Sequence, residues 1–214
     1  MIRKIYGIIL SGGKATRMNG KKSFRIVNNK YLIENVTNVL KNVNVPFIIV
    51  FKSINSDESS NEEIEKQKYI HNKYNQTITF DILKSENPLI GIYTGMNLIN
   101  SNWVLVLPCD SPLISEKAII KLINKIEYAE KNNYNCIVPK HSNGYVEPLF
   151  SLYNKSTIKV LEKIVYEVHN GNQLPIRAYI NKLNPLYISA EELDHSKKTF
   201  LNINTIEDIK KLEK

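Results

Sequence analysis

The sequence predicts an α/β fold: a three-layer α/β/α domain whose sheet is mostly parallel, with one antiparallel strand. Two observations support this prediction. Strand-like apolar runs alternate with helix-like segments from residue 5 to residue 131, which is the pattern of a parallel sheet covered by helices on both faces. In the second half the alternation is less regular, and residues 148–153 predict a strand that returns antiparallel.

The first half contains four predicted strands and four predicted helices. The strands are short runs dominated by apolar and β-branched residues, as expected of strands buried on both faces of a sheet. They lie at residues 5–10, 45–51, 77–83 and 103–107. The helices show apolar spacing or a charged composition and lie at residues 31–40, 61–74, 88–100 and 115–131.

Local signals mark the starts of three of these helices. Ser59 or Ser60 is the predicted N-cap of the second helix, and Ser115 is that of the fourth, because serine side chains accept hydrogen bonds from the free N–H groups of a first turn. Pro88 opens the third helix, since proline is tolerated in a first turn.

The second half predicts shorter elements. Strands are expected at residues 135–139, 148–153 and 186–189, and helices at 156–168 and 174–183. Residues 200–204 predict an extended segment. Thr205 caps a last helix, with Glu207 and Asp208 in its first turn.

Length and composition indicate a single globular domain of residues 1–214. Hydrophobic residues make up 43% of the chain and charged residues 23%, as in ordinary globular proteins. No apolar run approaches the roughly 20 residues of a membrane helix, so no membrane association is expected. Cys109 and Cys136 have no metal-ligand spacing and predict free thiols in a reducing, cytoplasmic compartment.

The net charge of +8 favours anionic partners. Nucleotides, phosphorylated small molecules and nucleic acids all meet that description. Nucleic-acid binding is not expected, because the 29 basic residues are scattered rather than clustered on one helix or interleaved with aromatic residues.

A glycine turn with basic residues follows the first strand. Gly12 and Gly13 are adjacent, and Arg17, Lys21 and Lys22 follow them. Glycines let backbone N–H groups face an anion, and the basic side chains add positive charge, so the segment predicts a polyphosphate site. Its spacing fits neither the dinucleotide fingerprint nor the P-loop. The alternative interpretation is an ordinary turn with solvated lysines.

A carboxylate follows the fourth strand. Asp110 lies between Pro108 and Pro112, at the carboxyl end of a predicted buried strand, where ligands of open parallel sheets bind. Such a carboxylate is suited to hold Mg²⁺ against phosphate oxygens. The alternative interpretation is a helix-capping aspartate in a proline-bounded turn.

The glycine turn resembles a family signature. Residues 10–18, Leu-Ser-Gly-Gly-Lys-Ala-Thr-Arg-Met, with a lysine a few positions on, are similar to L-A-G-G-x-x-x-R-M-G-x-x-K of the molybdenum cofactor guanylyltransferase (MobA) family, within the nucleotidyltransferase superfamily. Ser11 stands where alanine is usual. Lys21 and Lys22 are both candidates for the signature lysine, and Lys22 is preferred.

Four further segments are similar to motifs of the same family, in the same order. Residues 81–91 resemble D-x-x-x-G-x-G-P-L-x-G, and residues 107–112 resemble P-C-D-x-P. Residues 147–153 resemble [E/H/Q]-P-L-x-A-L-Y, and residues 200–208 resemble F-x-N-[VI]-N-T-P-E-D.

The resemblance implies a Rossmann-like nucleotidyltransferase fold and three groups of site residues. The implied catalytic residues are Arg17, Lys22 and Asp110, with Asp110 as the metal ligand. The implied nucleotide-binding residues are Leu10, Ser11, Gly12, Gly13, Lys22, Asp81 and Asp110. The implied acceptor-binding residues are Glu147, Asn202 and Asn204.

The residues alone leave other interpretations of these positions open. Asp81 also fits a solvent-facing position on a strand. Glu147 also fits the beginning of a strand, and Asn202 and Asn204 also fit polar capping before the last helix.

The resemblance further implies the reaction: GMP is transferred from GTP to the terminal phosphate of a molybdopterin-type cofactor, with Mg²⁺ as the metal cofactor and pyrophosphate as the leaving group. A receiving molybdo- or tungstoenzyme and its chaperone are possible partners. Three alternatives remain: a cytidylyltransferase acting on the same pterin, a sugar-phosphate nucleotidyltransferase of the same fold, and a non-catalytic protein that delivers the pterin.

Overall fold

The computed structural model describes residues 5–12, 22–27, 29–52 and 61–212, apart from the side chains of Ile206 and Lys211. In this part of the chain, strands and helices alternate as predicted. The strands are β1 (Ile5–Ser11), β2 (Ile26–Val27), β3 (Lys30–Tyr31), β4 (Phe47–Phe51), β5 (Thr77–Phe80), β6 (Trp103–Pro108), β7 (Cys136–Lys140), β8 (Ser151–Asn154) and β9 (Pro185–Ser189).

Seven strands form one sheet in the order β5-β4-β1-β6-β8-β7-β9. Strand β8 pairs antiparallel with both of its neighbours, β6 and β7, and the other pairs are parallel. The prediction of a mostly parallel sheet with one antiparallel strand is therefore confirmed. The short strands β2 and β3 form a separate antiparallel hairpin that the sequence analysis did not predict.

Helices cover both faces of the large sheet. They are α1 (Leu32–Asn42), α2 (Asn61–Tyr74), α3 (Pro88–Leu98), α4 (Glu116–Ile123), α5 (Ile126–Lys131), α6 (Ile158–His169), α7 (Ile176–Ile180), α8 (Ala190–Leu193) and α9 (Ile206–Leu212). One core contains residues of α1, α2, α4 and α5, and the other contains residues of α3, α6 and α7. The three-layer prediction is confirmed.

Each central strand contributes to both cores because successive side chains point to opposite faces. In β1, Ile8 packs with the α3 and α6 side and Ile9 with the α1 and α4 side. In β6, Val106 packs with the α3 and α6 side and Leu107 with the α1 and α4 side. Burial on both faces explains why these strands are continuous apolar runs.

The strand register brings several carboxyl ends to one edge of the sheet. Ser11 at the end of β1 is opposite Phe51 at the end of β4, and Phe51 is opposite Phe80 at the end of β5. On the other side of β1, Leu10 is opposite Pro108, the last residue of β6. The residues that immediately follow these four strands therefore emerge next to one another.

Two predicted helices differ from the structure. The segment at 115–131 forms two helices rather than one, because the amide of Lys125 donates to the carbonyl of Leu122 at 3.1 Å and bends the chain at Asn124. Asparagine has a low helix propensity, which favours an end here. The segment at 174–183 is helical only at Ile176–Ile180, since Pro175 occupies the N-cap position.

Three predicted extended segments are shorter than expected. The third strand ends at Phe80, which leaves Asp81 beyond it. The strand predicted at 148–153 begins only at Ser151, because the amide of Phe150 donates to the carbonyl of Glu147 at 3.0 Å in a turn. The segment at 200–204 begins in a 3₁₀ turn, Lys198–Phe200, and continues as irregular chain.

The N-cap predictions are confirmed where the structure describes them. Ser115 Oγ accepts from the amide of Ala118 at 3.4 Å. Thr205 Oγ1 accepts from the amide of Asp208 at 3.2 Å, and the Asp208 carboxylate accepts in return from the Thr205 amide at 2.9 Å. The positions of Ser59 and Ser60 lie outside the described residues.

Cys109 and Cys136 are free and buried. Burial raises the pKa of both thiols to about 12, so neither is a thiolate near neutral pH. Among the described helices, none has the length and apolar character needed to cross a bilayer.

Close packing of α3 on β1 requires glycine at position 95. An ideal Cβ on Gly95 would lie 2.5 Å from Cδ1 of Ile8, which is fully buried in a central strand. We expect Gly95→Ala to lower the free energy of unfolding by about 1–2 kcal/mol, because overpacking outweighs the gain in helix propensity. Urea denaturation measures this difference.

The matched control for this change is Asn97→Ala, at an exposed position of the same helix. It should leave the free energy of unfolding within about 0.5 kcal/mol of that of the unmodified chain. A Gly95→Ala chain as stable as the unmodified one would show that α3 can move away from β1 without loss.

Candidate active site

A cavity open to solvent, with about 690 Å³ of empty space, lies at the edge of the sheet where the carboxyl ends meet. Residues from both halves of the chain contribute to it. Its lining is formed by Leu10, Ser11, Gly12, Val50, Lys52, Asp81, Glu86, Pro88, Gly91, Pro108, Cys109, Asp110, Leu149 and Asn202. Gly12 of the glycine turn, Asp81 and Asp110 thus share one cavity.

Asp110 lies in the turn that follows β6. The amide of Cys109 donates to the carbonyl of Leu10 at 3.0 Å, which ties this turn to the end of β1. The Lys22 ammonium donates to Oδ2 of Asp110. Oδ1 of Asp110 is buried and has no hydrogen-bond partner among the described residues. One oxygen of this carboxylate is thus available to a ligand or metal ion.

Lys22 is the first residue of a short 3₁₀ turn, Lys22–Phe24. Buried Phe24 anchors this turn by stacking on Phe51, at a centroid distance of 5.8 Å. The Lys22 ammonium also donates to Oδ1 of Asn204 at 2.7 Å. It therefore joins the first motif of the chain to the last one.

The segment that carries Asn202 and Asn204 is attached to the Asp110 turn. The amide of Ile203 donates to the carbonyl of Asp110 at 2.9 Å, and Ser111 Oγ donates to Oδ1 of Asn202 at 2.6 Å. Both asparagines therefore lie near the Asp110 turn, and Asn202 lines the cavity. Ser111 was not singled out from the sequence, although its position beside Asp110 was a usable signal.

Asp81 lies just beyond β5 and is only 5% exposed. Its Oδ2 pairs with the Lys52 ammonium at 3.3 Å, whereas its buried Oδ1 has no hydrogen-bond partner within the described part of the chain. Burial raises the pKa of the Asp81 carboxyl to about 6, and the positive charge of Lys52 opposes that rise. The structure thus excludes the solvent-facing alternative for Asp81.

Lys52 is the main residue of the cavity that the sequence analysis missed. It directly follows the buried strand β4, so the argument that placed Asp110 at the carboxyl edge applied equally to it. Glu86 and Asn87 carry side chains in the loop between β5 and α3. Glu86 lines the cavity, and Asn87 caps α3 by accepting from the Leu89 amide at 3.0 Å.

Glu147 does not line the cavity; Leu149, two residues further on, lines it instead. Oε1 of Glu147 lies 2.8 Å from Nε2 of His141. Burial raises the pKa of the Glu147 carboxyl, and a hydrogen bond with His141 opposes the rise. Nδ1 of His141 lies 3.6 Å from Glu191. The structure therefore places Glu147 in a separate cluster with His141 and Glu191, the charged group beside the cavity.

Three predicted site residues, Gly13, Arg17 and Lys21, lie outside the described residues. Among the residues that the structure describes, no group of three or more His, Cys, Asp or Glu side chains is arranged to hold a metal ion. A Mg²⁺ ion bound together with a nucleotide does not need such a group, because it takes one or two carboxylates and completes its shell with phosphate oxygens and water. Oδ1 of Asp110, which has no hydrogen-bond partner in the described ranges, fits that requirement.

Comparison with known proteins identifies the family. A family profile described as the MobA-like NTP transferase domain matches residues 7–183, which is most of the chain. The chain belongs to the MobA-like NTP transferase family. Four of the five motifs of the sequence analysis lie within the matched residues, and the motif at residues 200–208 lies beyond them.

Individual relatives support this family assignment over almost the full length. A protein of Methanocaldococcus jannaschii, named as a probable molybdenum cofactor guanylyltransferase, is 50% identical over 209 residues, which cover 98% of both chains. A protein of Desulfosudis oleivorans, named molybdenum cofactor guanylyltransferase, is 28% identical and covers 98% of this chain and 94% of its own.

A solved structure supports the fold. The crystal structure of the molybdopterin-guanine dinucleotide biosynthesis protein A of Archaeoglobus fulgidus has a TM-score of 0.74 to this MobA-like transferase, with 22% sequence identity. The match covers 97% of this chain and 96% of the other. The predicted nucleotidyltransferase fold is confirmed.

Proposed function

We propose that this enzyme transfers GMP from GTP to the terminal phosphate of a molybdopterin-type cofactor, which yields the guanine dinucleotide form of the cofactor and pyrophosphate. The observation that carries the proposal is the meeting of Lys22, Asn204 and Asp110 at the carboxyl edge of the sheet, beside the glycine turn of β1. The guanylyltransferase names of its relatives supply the acceptor and the base.

The phosphates of GTP lie, in this proposal, against the glycine turn. The N–H groups of Gly12 and Gly13 face the phosphate oxygens, since glycine leaves the backbone uncovered. Arg17 and Lys22 supply positive charge to the same oxygens. The Lys22 side chain, whose ammonium group donates to Asp110, is long and flexible enough for that group to turn to a phosphate.

Asp110 is the proposed metal ligand. Its buried Oδ1 is free of partners among the described residues, and a single carboxylate with phosphates and water suits Mg²⁺. When bound, the ion neutralises phosphate charge that would otherwise repel an anionic nucleophile. The amide oxygens of Asn202 and Asn204 lie close to the same carboxylate through Ser111 and Lys22 and are proposed to bind the acceptor side.

The chain provides no nucleophile in this mechanism. The terminal phosphate oxygen of the pterin forms the new bond to the α-phosphorus of GTP, and the bond from that phosphorus to the β-phosphate bridging oxygen breaks, which releases pyrophosphate. The acceptor phosphate is ionised near neutral pH, so no strong general base is required. Cys109, although adjacent to Asp110, stays protonated, since burial raises its pKa to about 12. Positioning and electrostatic stabilisation therefore provide the rate enhancement.

The acceptor is proposed to bind between the two halves, with residues up to about 115 forming the nucleotide side and the remainder the acceptor side. Glu147 is kept as a proposed acceptor residue, acting from the charged group beside the cavity. A receiving molybdo- or tungstoenzyme and its chaperone remain proposed partners. The two free, buried cysteines agree with the proposed cytoplasmic location.

Pyrophosphate release tests the proposal. The full chain is given Mg²⁺ and the metal-loaded pterin, and GTP, CTP and ATP are offered separately. We expect release with GTP only, together with formation of the guanine dinucleotide. Release with CTP would keep the mechanism and overturn the base assignment. If none of the three nucleotides gives pyrophosphate although the chain still binds GTP, the assignment of the pterin as acceptor is overturned. Sugar 1-phosphates would then be offered as acceptors.

A further inference from the structure

The Lys22 ammonium binds two oxygens that belong to distant parts of the chain. It pairs with Oδ2 of Asp110 and donates to Oδ1 of Asn204 at 2.7 Å. The side chains of Lys22 and Asp110 are only 15% and 17% exposed. Solvent and salt therefore screen this pair less than they screen an ion pair on the surface. A positive charge thus lies directly beside the carboxylate that is proposed to bind the metal ion.

The pair leaves half of the Asp110 carboxylate without a partner. Lys22 binds Oδ2, whereas Oδ1 is buried and has no hydrogen bond within the described residues. A buried carboxylate oxygen without a donor is unfavourable. A divalent ion carries twice the charge of an ammonium group and is suited to carboxylate oxygens. A metal ion can therefore replace Lys22 at this carboxylate once the ammonium has another anionic partner.

A metal ion and the Lys22 ammonium compete for Asp110. Mg²⁺ binds oxygen ligands at about 2.0–2.1 Å, and an ammonium nitrogen lies about 2.7–2.9 Å from a carboxylate oxygen. Two cations on one carboxylate oxygen would therefore lie within about 5 Å of each other. Like charges at that distance repel strongly in a partly buried site. Tight metal binding at Asp110 consequently requires that the ammonium move away.

The chain allows this movement with the backbone held in place. Lys22 is two residues from buried Phe24, whose ring packs against Tyr31 at a centroid distance of 5.6 Å and against Phe51 at 5.8 Å. These contacts fix the turn, while the four-carbon stem of the lysine can rotate. Nucleotide phosphates at the glycine turn offer several negatively charged oxygens to the ammonium. Binding of the phosphates by Lys22 would leave Asp110 free for the ion.

We propose that Lys22 couples the binding of the metal ion to the binding of the nucleotide. Its ammonium occupies Asp110 until nucleotide phosphates bind it, so Asp110 takes the ion together with the nucleotide and binds the ion only weakly by itself. This inference rests on the proposed function, in which Asp110 is the metal ligand and Lys22 binds phosphate.

Metal binding in the absence of nucleotide tests the proposal. Dissociation constants for Mn²⁺, a paramagnetic ion that takes the same oxygen ligands as Mg²⁺, are measured by electron paramagnetic resonance on the full chain. Lys22→Met should bind Mn²⁺ about 10-fold more tightly than the unmodified chain, because no cation then competes for the carboxylate. Lys22→Arg, which keeps the charge, should bind Mn²⁺ as weakly as the unmodified chain. Equal or weaker binding by Lys22→Met would overturn the proposal.

Two further variants test whether the effect acts through Asp110. Lys21→Met removes the same charge one residue earlier and should change the dissociation constant for Mn²⁺ by at most about 2-fold. In the double variant Lys22→Met with Asp110→Asn, the tighter binding should disappear. If Lys21→Met tightens Mn²⁺ binding as much as Lys22→Met does, the general positive field controls the ion and the coupling through the ion pair is overturned.

The reciprocal test uses the nucleotide without metal. In EDTA, GTP should bind to Asp110→Asn about 10-fold more tightly than to the unmodified chain, because Lys22 is no longer held by a carboxylate. Loss of the repulsion between carboxylate and phosphate would also strengthen binding, so the comparison is repeated in the Lys22→Met background. There the gain should fall below about 3-fold. Calorimetry measures all four constants, and an equal gain in both backgrounds would contradict the coupling.

The outcomes separate this inference from the proposed reaction. A chain that forms the guanine dinucleotide, but whose Lys22→Met variant binds Mn²⁺ no more tightly, would overturn the coupling and leave the reaction standing. A chain whose Lys22→Met variant does bind Mn²⁺ more tightly, but which releases no pyrophosphate with the pterin, would support the coupling and overturn the reaction.

Discussion

Asp110→Asn is expected to lower the rate of GMP transfer by about 100- to 1000-fold or more at saturating Mg²⁺. The amide keeps the shape of the side chain but removes the negative charge that the metal needs. It also removes the negative charge that pairs with the Lys22 ammonium. The rate is measured as pyrophosphate release from GTP with the metal-loaded pterin.

The fold should survive this change. Asp110 lies in a turn at the cavity, and the backbone hydrogen bonds of Cys109 to Leu10 and of Ile203 to Asp110 do not involve its carboxylate. Circular dichroism and thermal unfolding check this expectation. Glu65→Gln is the control, since it makes the same chemical change on the exposed face of α2. An Asp110→Asn chain that keeps Mg²⁺-dependent activity would show that the essential metal ligand is another residue.

Lys22→Met is expected to weaken GTP binding by about 10- to 100-fold, the range for the loss of a charge-assisted hydrogen bond. Methionine keeps much of the apolar stem and removes the ammonium group. The structure places this ammonium between Asp110 and Asn204, next to the proposed phosphate position. The dissociation constant for GTP in the presence of Mg²⁺ is the measured quantity.

Lys21→Met is the matched control, because it removes the same charge one residue earlier. We expect at most a few-fold change, as for a lysine that only adds to the general positive field. The opposite result, a large loss with Lys21→Met and a small one with Lys22→Met, would shift the signature by one residue.

The sequence by itself determined the architecture. Strands buried on both faces are apolar along their length. The sequence alone therefore reveals β1, β4 and β6 as short apolar runs, whichever strands they pair with. Alternation with helices then requires a parallel sheet, and ligands bind at its carboxyl edge. Gly12 and Asp110 were found in this way, because each lies within two residues of the end of such a run.

The sequence was less informative where tertiary contacts decide local structure. Residues 115–131 have helical spacing throughout, yet the chain turns at Asn124 and forms two helices. Strand β8 begins only at Ser151, because the preceding residues form a turn from Glu147 to Phe150 that contains Pro148. Apolar spacing is similar on both sides of such a turn, so periodicity does not reveal it.

Only the tertiary structure decided which side chains meet. Lys22 contacts Asp110 and Asn204, which lie 88 and 182 residues further along the chain. Lys52 reaches Asp81 because β4 and β5 pair in a register that ends both strands at the same edge. Glu147 matches a family motif, yet it pairs with His141 and leaves the cavity lining to Leu149. The physical reason is that burial patterns are local, whereas ion pairs and hydrogen bonds between distant residues depend on strand register and loop path, which no short segment encodes.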